Sequence, residues 1–592
     1  MLQLTDIEYT LPDDTCLLKD VTLKIRPRHF MAVVGPSGCG KTTLIKVIAG
    51  LYYESAGTIH WKGRDLAEEG DIQPQELGYV PQFSIAWDRL TVEECVDSTV
   101  KLRTRTRGKA AHACADRVIN EVGMEALRDR QVSVLSGGQR RRLGLAMELV
   151  SHPSLLLCDE VTSGLDPQSE RDIVQLLHQL SLGEDRTVIN VTHSLDNLDL
   201  YDSVLVLNGG LVAYHGPPDA MLHYFSVKDA AEIYPQLASR PAGDWHESWL
   251  KYRDAYSDKL DVRLDGRSGA PASEPVEKLP ETSELTEHQQ ETGEKPTAAA
   301  IDSRDFQPAG FMRQFFTLLL RRWRLFMLDR TQMLLHAALI IGFPILIVIF
   351  ASKGIEPMPD RSFPSDMAEA EKVVRSTEIG VKQSRIGGLI SGLAMFQVIL
   401  LTLMGSNNSA REIAGERLIY EKERLGGLKP LAYLCSKAAF LATLIVLQAV
   451  WMALFVNFFA QLPGPLMPRM MHLLLVNAGM TFVCLAISSL MRSPEQASLL
   501  SIYLVGFQLP LSGAVIALPA ALEKIVQPFI AAYWGWSGQL CSMRESYYFL
   551  GIQQAVPTAI VQETGNSMAI LAAHIIVGLA VAWIGLKRRL WS

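Results

Sequence analysis

Six apolar stretches in the C-terminal half constrain this chain more than any other feature. They fall at about 333–351, 386–404, 438–460, 470–491, 497–518 and 567–586, and charges inside them are nearly absent. A helix of about 20 residues crosses a hydrocarbon core of roughly 30 Å. Each stretch is long enough to cross, and a buried soluble helix rarely stays apolar this long. The chain has 592 residues, of which 48% are hydrophobic and 20% charged. A soluble domain averages about 25% charged residues. A soluble part joined to a membrane part fits these figures. The net charge of −7 argues against a protein that coats nucleic acid. The apolar content excludes wholesale disorder.

Residues 1–230 read as α/β. Short apolar runs at 30–34, 155–158, 188–191 and 204–207 alternate with helical patterns, punctuated by Gly and Pro. That alternation predicts a largely parallel sheet. Residues 231–305 read as a connecting region. Its 265–300 portion has no aromatic residue and sets eight acids against three bases. This composition predicts a disordered spacer, with a regulatory or partner-binding tail as the other reading. Residues 306–592 read as an all-α membrane domain. It opens on FQPAGFMRQFFTLLLRRWRLFMLDR, whose mix of aromatics, leucines and arginines predicts an amphipathic helix in the inner membrane interface.

Six spans place both ends on one side of the membrane. Arg411, Arg417, Lys422, Arg424 and Lys429 follow the second span, Arg492 lies between the fourth and fifth, and Lys587, Arg588 and Arg589 end the chain. The positive-inside rule puts these, and the N-terminal domain, in the cytoplasm. The loop 352–385, with six bases and six acids, does not follow the bias. The N-terminus MLQLTDIEYTLPDD has no basic region followed by an apolar core, so no secretory signal is expected. The eight cysteines show no CxxC spacing and no clustering with His, which argues against a zinc site or disulfide framework.

The chemistry sits in the N-terminal part. Gly35, Pro36, Ser37, Gly38, Cys39, Gly40, Lys41 and Thr42 read GPSGCGKT, followed by Thr43. The run follows the strand-like FMAVV and precedes a helix-like segment, the context a phosphate-binding loop requires. Glycines let backbone N–H groups curl around phosphate oxygens, and the helix N-terminus adds positive potential. Lys41 would then neutralise β- and γ-phosphates, and Thr42 would place its hydroxyl on Mg²⁺. Downstream, LLLCDE ends an apolar strand in Asp159 and Glu160. Asp159 suits Mg²⁺ through water, and Glu160 is placed to polarise an attacking water as general base. By themselves these two acids also fit a solvated strand end.

Between the phosphate loop and these acids lies LSGGQ, with Ser136, Gly137, Gly138 and Gln139. On this pentapeptide the chain resembles the ATP-binding cassette superfamily. Other motifs match in order over roughly residues 2–225. Gln82 in GYVPQ corresponds to the glutamine that senses Mg²⁺ and the membrane domain. Asp166 in SGLD corresponds to the loop between the two sites, and His193 in NVTHS to the histidine that contacts the γ-phosphate. The resemblance implies a P-loop α/β cassette at 1–230 and catalytic roles for Glu160, His193, Gln82 and Lys41. It places Mg²⁺ at Thr42, Gln82 and Asp159. The aromatic residue on which many cassettes stack adenine is absent: that position falls at Leu11, with Tyr9 two residues away, so nucleotide selectivity is expected to be loose.

A cassette ahead of the membrane domain resembles the G-subfamily half-transporters. RPAGDW at 240–245 resembles their NPADF element, and ERLIYEKER at 416–424 resembles their charged segment after the second span. In that family this segment carries cassette motion to the spans. The resemblance implies a dimer, a second copy or a related half-transporter, with ATP sandwiched between Lys41 of one chain and Ser136 of the other. Gly388 and Gly392 form a small-xxx-small pattern that permits close helix approach. Cys541 could bridge two subunits or remain a thiol. The family's cargo cavity falls here at Phe396, Gln397, Tyr503, Phe507 and Gln508, with Pro510 able to bend the fifth span. Aromatics and amides suit a lipid-like, hydrophobic or amphipathic molecule, though ordinary helix packing also accounts for them. The expected protein is an ATP-hydrolysing exporter of the plasma or inner membrane with no nucleic-acid partner. The alternative is an ATP-driven mechanical or regulatory complex that moves no cargo.

Overall fold

The computed structural model describes residues 1–83, 85–183, 185–268, 306–352, 355–359, 367–514, 519–557 and 561–588. Most of the expected acidic spacer, and Arg589, lie outside the described residues. The chain forms two compact units: Met1–Gly310 with Lys422–Leu428, and Phe311–Glu421 with Lys429–Ser592.

The first unit runs β1 (Leu2–Thr10), β2 (Cys16–Ile25), β3 (Phe30–Val34), α1 (Lys41–Ile48), β4 (Ala56–Trp61), β5 (Arg64–Asp65), α2 (Leu66–Glu69), β6 (Leu77–Val80), α3 (Val92–Arg103), α4 (Lys109–Glu121), α5 (Gly137–Leu149) and β7 (Leu155–Asp159). It continues with α6 (Pro167–Leu182), β8 (Thr187–Val191), β9 (Ser203–Asn208), β10 (Leu211–Gly216), α7 (Pro218–Phe225), α8 (Ile233–Ala238) and α9 (Ala242–Ser268). Six strands form one sheet in the order β10-β9-β3-β8-β7-β6, and four form a second, β2-β1-β4-β5. In the larger sheet every pairing is parallel except β9 with β10. The central strands FMAVV, LLLCD and TVINV are buried at every position. A parallel sheet covered on both faces needs such continuous apolar runs. The C-terminal ends of β3, β6, β7 and β8 therefore open along one edge, where ligands bind in sheets of this kind.

The second unit is helical: α10 (Phe311–Leu328), α11 (Arg330–Phe350), α12 (Glu369–Ser409), α13 (Arg417–Leu425, whose last residues belong to the first unit), α14 (Pro430–Ala460), α15 (Leu466–Leu490), α16 (Pro494–Gln508), α17 (Ala520–Val526), α18 (Ala531–Ser542), α19 (Phe549–Ala555) and α20 (Thr564–Lys587). Among the described residues, five helices are long and apolar enough to cross a membrane. They account for five of the six expected stretches. The sixth, at 497–518, instead holds the 15-residue α16 and a 3-10 turn, Pro510–Ser512. Pro510 has no N–H to continue the ladder, and Gly513 follows at φ 73°. At 1.5 Å per residue α16 reaches only about 22 Å.

The amphipathic segment expected after Phe306 is α10; one stripe packs on protein, while Met312, Phe316, Leu320 and Met327 are exposed. Arg322 forks onto Glu412 at 2.6 and 2.8 Å and stacks over the Phe440 ring. Lys437 reaches the same carboxylate at 3.0 Å. Deeper in the bundle, Asn408 and Gln448 exchange two amide hydrogen bonds of 2.8 and 3.0 Å, and Asn477 donates to Gln448 at 3.0 Å. Such bonds join helices where the surroundings offer no other polar partner. Within the chain, the close helix approach on α12 falls at Gly387, next to the Gly388 and Gly392 pattern. A Cβ on Gly387 would lie 2.1 Å from the Gly551 backbone, whereas Gly392 has nothing within 4 Å. Of the expected cavity residues, Tyr503 and Phe507 are exposed on α16. Phe396 packs edge-on against Phe350, and Gln397 is buried. Gln508 is buried too, and its side-chain oxygen accepts from the Ala532 N–H at 3.0 Å, so this amide links α16 to α18.

Candidate functional site

The loop after β3 turns directly into α1. Gly35 holds φ 151°, and a Cβ there would fall 2.2 Å from the Leu207 carbonyl oxygen and 2.7 Å from the Cys39 sulfur, so only glycine fits. Gly40 caps α1 in the left-handed region at φ 99°, leaving the first N–H groups of the helix turned outward. Lys41 is buried, and its Nζ donates to the carbonyls of Gly35 and Pro36 at 2.9 and 3.0 Å. The lysine is thus folded back over the loop, where an anion's oxygens would meet it.

Three further strand ends supply the rest. At the end of β7, Asp159 accepts from the Thr42 hydroxyl at 2.9 Å and from the Tyr79 hydroxyl at 3.5 Å. Burial raises the Asp159 carboxyl above its ordinary range. The Thr42 bond opposes this, and the neighbouring Glu160 charge adds to it. Glu160 itself holds φ 50°, a left-handed conformation that costs energy for a residue with a Cβ. The turn brings its carboxylate between two loops. Its Oε2 accepts from the Gln82 amide at 2.8 Å, and its Oε1 meets the His193 Nε2. Gln82 follows β6 and His193 follows β8. Leu17, Ser37, Gly38, Gly40, Lys41, Thr42, Thr43, Glu160 and His193 line a cleft of ≈ 290 Å³.

The thirteen residues named from Gly35 to Thr43, with Gln82, Asp159, Glu160 and His193, therefore converge on one place. Ser136, Gly137, Gly138, Gln139 and Asp166 do not line the cleft. They build two helix N-termini instead. Ser136 and Gln139 form a reciprocal capping box at the start of α5, bonded at 3.0 and 3.3 Å. Because the Ser136 oxygen accepts there, its hydroxyl hydrogen is free to donate outward. Asp166 caps α6 through the Ser169 N–H at 3.0 Å, and a Cβ on Gly138 would touch Ser169 at 3.7 Å, so the two N-termini lie together.

Thr42, Asp159 and the Gln82 amide offer oxygen donors, the chemistry Mg²⁺ requires. Among the described residues no three His, Cys, Asp or Glu come together as a metal cage. Two residues of the site escaped the sequence motifs. Arg141 meets the Gln82 carbonyl from the helix after LSGGQ. Leu17 lines the cleft from β2, whereas Leu11 lies in the turn between β1 and β2. Tyr9 stacks on Tyr52, with centroids 5.1 Å apart.

A phosphate loop before a helix, an Asp–Glu pair at the neighbouring strand end and a capped LSGGQ helix define a nucleotide-binding cassette. Residues 18–163 match the ABC transporter family, and residues 312–534 match the ABC-2 type transporter family. An ABC transporter ATP-binding/permease protein of Mycobacterium tuberculosis is 28% identical over 556 residues, covering 92% of this chain and 57% of its own length. A phosphonates import ATP-binding protein of Synechococcus sp. is 34% identical over 263 residues, 42% of this chain and 96% of its own length. An Arabidopsis thaliana ABC transporter G family member is 36% identical over 229 residues, 36% of this chain and 34% of its own length. The chain thus spans little more than half of the mycobacterial relative. It belongs to the ABC transporter family, with the ATP-binding domain ahead of an ABC-2 membrane domain. In such transporters the cassette is the ATP-hydrolysing part.

Proposed function

We propose that this chain is one half of an ATP-driven exporter of lipid-like, hydrophobic or amphipathic molecules, working as a dimer of identical chains in the plasma or inner membrane. The observation that carries this reading is the meeting of Gln82 and His193 on Glu160, beside the Thr42–Asp159 pair, in a chain that also holds membrane-length helices.

Lys41 neutralises the β- and γ-phosphates of ATP, and the N–H groups at the start of α1 cradle them. Thr42, Asp159 and Gln82 are the residues that would hold Mg²⁺, which offsets phosphate charge when bound. Glu160 takes the proton from the attacking water, and Gln82 and His193 hold its carboxylate in position. Ser136 and the α5 N-terminus of the second copy close over the γ-phosphate, since the chain's own LSGGQ does not line its cleft. The segment at 416–424 passes cassette motion to the spans. α16 together with the turn at Pro510–Ser512 stands in the place of the fifth of six crossings, and both chain ends lie in the cytoplasm. Tyr503 and Phe507, exposed on α16, face the cargo.

Inverted vesicles containing the full chain test this. ATP-dependent uptake of a fluorescent phospholipid or an amphipathic dye supports export. ATP hydrolysis without uptake of any apolar probe favours the mechanical alternative.

A further inference from the structure

Tyr234 lies on α8, outside every motif of the cassette. Its hydroxyl donates to the backbone carbonyl of His193 at 3.3 Å. A backbone hydrogen bond from Gly35 reaches the same oxygen. Burial pushes the phenol up to about 12, with the Gly35 bond opposing, so the hydroxyl stays protonated and remains a donor at neutral pH. Each of these partners is already committed to the site. The Gly35 carbonyl accepts from Lys41 Nζ at 2.9 Å, and the His193 imidazole meets Glu160. One hydroxyl therefore ties the loop after β8 to the loop after β3. The His193 side chain is 42% exposed, so its own packing restrains that loop little.

We propose that Tyr234 is a positioning residue for ATP hydrolysis: its hydroxyl fixes the His193 loop against the Gly35 loop and so keeps the imidazole on Glu160. It touches no substrate and acts through His193. The proposal rests on the roles given above to His193 and Glu160, and is independent of the cargo.

The test measures ATPase kinetics and thermal midpoints of the full chain in lipid for wild type, Tyr234→Phe, His193→Ala and the double variant. Tyr234→Phe removes only the hydroxyl and keeps the ring. The expected result is a kcat lower by about threefold to tenfold, the size of one hydrogen bond, with the KM for ATP and the thermal midpoint unchanged. The double variant is expected to be no slower than His193→Ala alone, because both changes act on one group. A purely structural role would lower the midpoint and would not give this split. Wild-type kcat in Tyr234→Phe with a slow His193→Ala overturns the proposal alone. Wild-type kcat in His193→Ala overturns the His193 role and the proposal with it. A midpoint that falls with kcat, or equal factors in both backgrounds, also overturns it.

Discussion

Arg103 holds Glu148 with two guanidinium nitrogens at 2.7 and 3.0 Å, and the side chains are only 5% and 3% exposed. Lys422 adds a third contact at 3.3 Å, and the Tyr79 N–H donates to the same carboxylate at 3.3 Å. Glu148 lies on α5, the helix whose N-terminus is Ser136. The first unit thus anchors its LSGGQ helix, α3 and the short segment Lys422–Leu428 on one buried carboxylate.

Replacing Glu148 with Ala leaves two cations buried without their partner. The expected loss is about 3–5 kcal/mol of stability, the usual cost of breaking a buried pair from one side. Burial alone would raise the Glu148 carboxyl, but Arg103 and Lys422 together hold it below its ordinary value of 4.5. A depressed carboxyl stabilises the fold above its unfolded pKa, and that contribution is lost as pH falls through the folded pKa. Thermal melts from pH 7 down to pH 3 are therefore expected to fall more steeply for wild type than for Glu148→Gln. Parallel curves would contradict this.

Leu17 lines the cleft with an aliphatic side chain, and among the described residues no Phe, Tyr or Trp lines it. The expected outcome is weak discrimination, with KM values for ATP and GTP within about threefold, less than one aromatic pair contributes. Leu17→Trp supplies the ring. It is expected to lower the KM for ATP by about twofold to tenfold. Steady-state kinetics with both nucleotides check it. An unchanged KM would place the base elsewhere.

Gly387 and Gly392 are expected to respond in opposite ways. Gly387→Val drives a side chain into the Gly551 backbone, where a Cβ has only 2.1 Å, so no assembled membrane domain is expected. Gly392→Ala meets open space and is expected to leave the thermal midpoint in detergent within about 2 °C, the scale of a surface change. Equal behaviour of the two variants would refute this placement.

The phosphate loop, the Asp159–Glu160 pair and LSGGQ were legible because each is a local run with fixed spacing and its own strand or helix. Gln82 and His193 were legible only as members of an ordered series. Leu17 and Tyr234 were not legible, since tertiary packing alone brings β2 to the cleft and α8 to the His193 backbone. The membrane helices announce themselves by length and apolarity, which do not say where a helix stops. Pro510 ends the fifth early, and hydropathy averages over it. The intrachain contact at Gly387 is one of helix phase, fixed by where α19 lies.

ATPase activity of the purified full chain in lipid, wild type against Glu160→Gln, tests the central claim most directly. Glu160 is the carboxylate that Gln82 holds at 2.8 Å and His193 meets from the other side. The amide keeps the size and removes the base. Turnover is expected to fall by at least about a hundredfold, the scale of a lost general base, while ATP still binds. A variant that hydrolyses ATP at the wild-type rate would contradict the account.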